Sequence, residues 1–135
     1  MKIEQHVFVV DDDKSARNGL ERLIRTAGYN VHSFATTSAF MKFIESENQG
    51  CVLLDARMPG SSSDELKQKL FKYSQKLDVI FVTADDDDDT RKKAKELNAV
   101  GFFRKPVDGT ALLDAIEWAL KPGNPENNQS KMIEK

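Results

Sequence analysis

Five short apolar runs recur along the chain: His6-Val7-Phe8-Val9-Val10, Asn30-Val31-His32-Ser33-Phe34, Cys51-Val52-Leu53-Leu54, Val79-Ile80-Phe81-Val82 and Val100-Gly101-Phe102-Phe103. A strand with one wet face alternates polar and apolar positions. These runs are nearly continuous, the pattern of parallel strands covered on both faces. Longer stretches separate them, with apolar residues at steps of three and four. Ala16, Leu20, Leu23, Ile24 and Ala27 form one such stripe, with Gly28 after it as a helix stop. Others are Phe40, Met41, Phe43 and Ile44; Leu66, Leu70 and Phe71; Ala94 and Leu97; and Leu112, Ala115, Ile116 and Ala119. A helix after every strand requires right-handed parallel crossovers, so the expected fold is α/β, a doubly wound five-stranded parallel sheet with five helices. From Lys121 onward the Pro-, Gly- and Asn-rich sequence has neither apolar period nor bulk. Residues 1–120 therefore read as one domain and 121–135 as a linker or disordered tail.

At 135 residues the chain can bury a core without disulfides or metal staples. Its 20 Lys and Arg against 22 Asp and Glu give a formal net charge of -2. No overall positive field then draws this domain to nucleic acid or to a membrane surface. Cys51 is the single cysteine, which excludes an internal disulfide and a thiolate zinc cluster. A strand-like segment stands where a secretory signal would be, so a reducing, cytoplasmic setting is expected, with Cys51 an inert core thiol. No run approaches the roughly 18 apolar residues of a membrane-spanning helix.

Open α/β sheets bind ligands beyond the carboxyl ends of their strands, and the polar residues of interest fall there. Asp11, Asp12 and Asp13 follow the first run, Asp55 the third, Thr83 the fourth, and Lys105 with Pro106 the fifth. Asp11, Asp12 and Asp55 would repel one another at close range. A hard divalent cation with oxygen ligands relieves that repulsion and keeps each carboxylate ionised. Mg²⁺ fits better than Ca²⁺, because the alternating oxygen ligands and central Gly of a calcium loop are missing. A carboxylate beside such an ion, with an ammonium across from it, can attack phosphorus and form an acyl phosphate, with Asp55 as the nucleophile. Lys105 would neutralise charge on the transferred group and the Thr83 hydroxyl would bond one of its oxygens. Asp13 reads as the cap of the first helix.

In order and spacing these residues resemble the receiver domains of two-component response regulators over about residues 5–120. Val9-Val10-Asp11-Asp12-Asp13 is similar to the acidic first turn of that family, and Leu53-Leu54-Asp55-Ala56-Arg57-Met58-Pro59-Gly60 to its phosphorylation segment. Val82-Thr83-Ala84 and Lys105-Pro106 complete the set. The resemblance implies a flavodoxin-like sheet with strand order 2-1-3-4-5. It also implies direct Mg²⁺ ligation by Asp12, Asp55 and the main-chain carbonyl of Arg57, with Asp11 acting largely through water. Phe102 takes the place of the switch aromatic, partnered by Thr83, and a cis peptide is implied between Lys105 and Pro106. The implied partner is a sensor histidine kinase. The face of the fourth helix, fifth strand and fifth helix would meet a second copy or an output domain such as a DNA-binding module. On this reading the chain is a phosphoacceptor signalling domain rather than an enzyme acting on other molecules.

Two departures stand out. Ser63 occupies a position where the family often carries Gly, so a different backbone entry into the third helix is expected. Asp85 to Asp89 read as a solvated loop and helix start; the sharper alternative pairs Asp85 with Arg57 at the mouth of the site. Two other functions compete. A haloacid-dehalogenase-type phosphatase also opens on Asp-x-Asp, here Asp11 and Asp13, but its later metal-binding acids reduce to Asp108 and Asp114 and Asp55 has no role. The second is a receiver that docks partners without being phosphorylated. His6 and His32 lack helical or turn spacing, so no His-based metal site is expected, and Trp118 either packs or meets a partner.

Overall fold

The structure, a computed structural model, describes residues 5–44, 49–61, 63–73, 77–120 and 133–134. Strand and helix alternate as the apolar pattern predicts: β1 (Gln5–Val10), α1 (Lys14–Thr26), β2 (Asn30–Phe34), α2 (Thr37–Phe43), β3 (Gln49–Asp55), α3 (Asp64–Lys72), β4 (Leu77–Thr83), α4 (Asp88–Glu96), β5 (Gly101–Arg104) and α5 (Gly109–Leu120). All pairings are parallel and the first five strands lie in the order β2-β1-β3-β4-β5. A two-residue strand, β6 (Ile133–Glu134), pairs with the outer edge of β5, which the tail reading did not include. Residues 121–132 of that tail lie outside the described residues.

Side chains alternate across the sheet with period two, and the two faces carry separate cores. Val7, Val9, Cys51, Leu53, Ile80, Val82 and Phe103 pack with Ile24 of α1 and Leu112, Ala115 and Ile116 of α5. Phe8, Val10, Val52, Leu54, Phe81 and Phe102 pack with Phe40 of α2, Leu66 and Leu70 of α3 and Ala94 of α4. Every central strand is thus sealed on both sides, which is why its sequence reads as a continuous apolar run. Burial pushes the Cys51 thiol well above its ordinary pKa, as suits an inert core cysteine, and Trp118 packs partly buried against the α1 and α5 side.

Three positions differ from the apolar pattern. β2 is an edge strand with no fully buried residue, so its run reflects one covered face rather than two. Phe71 follows Leu70 by one residue, about 100° around the helix, and is 77% exposed while Leu66 and Leu70 fill the core. His6 and His32 meet after all: parallel register places Phe8 opposite His32, and His6 Nδ1 lies 3.0 Å from His32 Nε2. Sequence spacing could not show that contact, because strand pairing rather than local geometry creates it.

Candidate functional site

β1, β3, β4 and β5 are neighbours and end on the same side, so the residues after them converge. Asp11 is 2% exposed; its Oδ1 accepts from the Asp13 N–H at 2.9 Å and its carbonyl accepts from Arg17 Nη1 at 2.8 Å. Asp13 turns away and caps α1, accepting from the N–H groups of Ser15 and Ala16 at 2.9 and 3.2 Å. Asp55 ends β3 at 8% exposure, and its Oδ1 accepts from the Arg57 N–H at 2.9 Å. Lys105 N–H donates to the Thr83 carbonyl at 2.8 Å, extending the β4–β5 ladder by one bond. The Lys105–Pro106 peptide is cis. Lys105 Nζ then reaches Asp11 Oδ2 at 2.8 Å and Asp55 Oδ2 at 3.1 Å. Burial works against the ammonium, but its hydrogen bonds to Asp11 and Asp55 and their charges outweigh that and hold its pKa above the ordinary lysine value.

Carboxylate oxygens of Asp11, Asp12 and Asp55 lie within 4.8 Å of one another, with Asp12 exposed and the other two buried. One ammonium touches two of these three acids, so negative charge remains in excess in a partly desolvated corner. Three oxygen donors with one solvent-facing member suit a hard cation that keeps several waters, which is how Mg²⁺ differs from the larger Ca²⁺. The residues therefore fit the ion that the sequence implies.

Thr83 is fully buried, and its Oγ1 accepts from the Asp85 N–H at 3.2 Å, which leaves the hydroxyl proton to donate. Phe102 is 2% exposed and its ring sits within the α2–α4 core. The Arg91 guanidinium lies over that ring at 4.9 Å from its centroid, and Asp86 holds Arg91 through Nε and Nη2. The acidic run thus divides its work. Asp85 pairs with Arg57 Nη1, as the sharper reading expects, and Asp87 approaches the same nitrogen at 3.9 Å. Asp87 also caps α4, accepting from the Thr90 N–H at 2.8 Å, while Asp88 and Asp89 sit in the first turn, where the helix end is positive. The Arg91 hydrogen bond holds the Asp86 carboxyl below the usual carboxylate range, and hydrogen bonds from Thr90 do the same for Asp87.

The β3–α3 loop is fixed from two sides. Gly60 has φ +84, and a Cβ there would stand 2.6 Å from Thr37 Oγ1, so glycine is required. Ser63 accepts from the Leu66 N–H at 3.1 Å with φ -69, so a helix cap stands where the family often has Gly, and no left-handed backbone is needed. Sequence reasoning missed Lys93, Ser61 and Arg91. Lys93 Nζ donates to the Ala56 carbonyl across 37 positions, a separation at which no local pattern signals contact. The phosphatase alternative loses two of its four residues to helix caps: Asp13 caps α1 and Asp108 caps α5, accepting from the Ala111 N–H at 3.1 Å. No helix among the described residues is long and apolar enough to cross a membrane.

Known proteins agree with this geometry. The model of the response regulator receiver domain matches residues 7–117. The response regulator protein TmoT of Ectopseudomonas mendocina is 34% identical over 126 residues, covering 92% of this chain and 57% of TmoT. The transcriptional regulatory protein FixJ of Bradyrhizobium diazoefficiens is 31% identical over 125 residues, covering 93% and 61%. The chain therefore spans a little over half the length of these relatives. Among solved structures, response regulator StyR superposes with TM-score 0.75 at 43% identity, over 87% of this chain and 59% of StyR. A CheY-like receiver domain protein from Methanospirillum hungatei gives TM-score 0.75 at 26% identity, over 87% and 94%. Sheet order, strand-end chemistry and these matches agree: the chain belongs to the family of response regulator receiver domains.

Proposed function

We propose that Asp55 accepts a phosphoryl group from the phosphohistidine of a sensor histidine kinase. In this reading Asp11, Asp12, Asp55 and the Arg57 carbonyl hold Mg²⁺. The observation that carries it is a nearly buried strand-end carboxylate touched by Lys105 and clustered with two further acids. An Asp55 oxygen forms a bond to phosphorus as the phosphohistidine N–P bond breaks, and the leaving imidazole nitrogen takes a proton. Mg²⁺, when bound, neutralises charge on the transferred group. Lys105, already at Asp55 Oδ2, follows the negative charge onto the phosphoryl oxygens, and the Thr83 hydroxyl donates to one of them. Phe102 and Thr83 then relay the change to the face of α4, β5 and α5, which meets a second copy or an output domain. The domain works in the cytoplasm and itself binds no nucleic acid, with residues 1–120 as the receiver domain. Its only turnover is its own labelling and release.

Incubation with acetyl phosphate and Mg²⁺ is expected to add one phosphoryl group per chain, with none added after chelation or in Asp55→Asn. Full labelling of Asp55→Asn would refute the assignment. Steady turnover of a phosphomonoester would restore the phosphatase reading. If no donor labelled a chain that still bound Mg²⁺, the docking reading would stand instead.

A further inference from the structure

Lys93 lies in the middle of α4, on no strand end and outside the carboxylate cluster, yet its ammonium is engaged inside the β3–α3 loop. Nζ donates to the Ala56 carbonyl at 2.7 Å and to Ser61 Oγ at 3.2 Å. Ser61 is 1% exposed, and its hydroxyl donates to the same carbonyl at 2.8 Å. That carbonyl belongs to the peptide joining Ala56 to Arg57. The N–H on the other side of the peptide plane is the one that donates to Asp55 Oδ1 at 2.9 Å. A single peptide group therefore connects a cation on α4 to the phosphoacceptor. Ala56 is fully buried and Asp55 nearly so. In such surroundings a charge-assisted hydrogen bond is strong, and successive hydrogen bonds polarise one another.

We propose that Lys93 is a positioning residue for phosphoryl transfer. By holding and polarising the Ala56–Arg57 peptide, it aims the Arg57 N–H at Asp55 and ties α4 mechanically to the phosphoacceptor. The role rests on Asp55 being the acceptor. Without the ammonium, the carbonyl keeps, among the described residues, the Ser61 hydroxyl, the peptide plane gains freedom to tilt, and one Asp55 oxygen loses its fixed donor. The same peptide carries the Arg57 nitrogen, so the tilt also disturbs the loop facing the acidic cluster. The linkage runs both ways: a change in charge at Asp55 alters the pull on Lys93, and so the seating of α4 against the loop.

Lys93→Met removes the charge at similar length, Lys93→Arg keeps a charged donor, and Lys92→Met removes an exposed lysine one position away as a control. Two readouts are compared with wild type: the amide proton shift of Arg57 in the unphosphorylated protein, and the rate of labelling by acetyl phosphate with Mg²⁺. Lys93→Met is expected to move the Arg57 amide proton upfield and to slow labelling about ten-fold. Lys93→Arg should restore both in large part, and Lys92→Met should leave both unchanged, with the melting temperature of each variant recorded to separate unfolding from mispositioning. An unmoved Arg57 amide together with wild-type labelling in folded Lys93→Met would overturn the proposal. If wild type itself takes no label, the assignment of Asp55 fails instead, and the Arg57 shift in the unphosphorylated protein still decides the part played by Lys93.

Discussion

Asp78 illustrates how one residue outside the site adds its own share to the pH dependence of stability. It lies in β4 opposite Cys51 of β3, and burial pushes its carboxyl up to about 7 from an ordinary 3.8. Above 3.8 the unfolded chain has released this proton while the folded chain still holds it. The stability that the group contributes is thus present below about 3.8 and is lost as pH rises to about 7. Asp78→Asn copies the protonated form and removes this share of the dependence. Thermal melts are expected to show the variant more stable than wild type at pH 8 and no more stable at pH 3.5, and equal gains at both would contradict the burial argument. At the mouth of the site, Arg57 and Asp85 pair with side chains 58% and 48% exposed. Exposed pairs are worth at most about 1 kcal/mol, so the pair does not hold the fold, and we propose that it tunes access to Asp55. Arg57→Ala, Asp85→Ala and the double variant should each lose the acyl phosphate up to about five-fold faster than wild type. The double variant should decay no faster than the singles, and identical decay in all four proteins would remove the role.

At the scale of elements, the helices owe their boundaries to side-chain caps and their seating to one stripe each. Ser63 caps α3, so Ser63→Ala should cost about 1 kcal/mol in denaturant unfolding while Ser63→Gly costs a few tenths. A left-handed requirement at that position would instead make Ser63→Gly stabilising. Phe40 is fully buried and Phe71 is 77% exposed. Phe40→Ala should therefore cost about 3 to 5 kcal/mol and Phe71→Ala less than about 0.5 kcal/mol. Sequence showed where strands and helices fall because burial on two faces leaves continuous runs and burial on one leaves stripes. It did not separate Phe71 from Leu70, since both are apolar and only their angle around α3 differs. Within the acidic run it singled out Asp85 as a partner for Arg57 but did not assign Asp86, which the fold sets beside Arg91.

For the whole molecule, the decisive feature is that four strand ends meet at one edge. Sequence order and spacing foreshadowed Asp11, Asp12, Asp55, Thr83 and Lys105, because a parallel sheet delivers the residue after each strand to the same side. Two cross-links fix the loop: the sequence offers that from Arg57 to Asp85 as an alternative, whereas that from Lys93 to Ala56 joins elements distant in sequence and became visible only in three dimensions. α4 supplies Lys93 and the loop before it supplies Asp85, so the β4–α4 segment is tied twice to the loop after Asp55. In the proposed mechanism these ties are the route by which phosphorylation of Asp55 reaches α4. The central claim is that Asp55 alone carries the phosphoryl group. Borohydride reduction of protein labelled with Mg²⁺ and acetyl phosphate, followed by peptide mapping, tests it most directly. The account predicts reduction of one acyl phosphate at Asp55 and none after chelation, whereas a reduced residue at Asp11, Asp12 or Asp13 would contradict it.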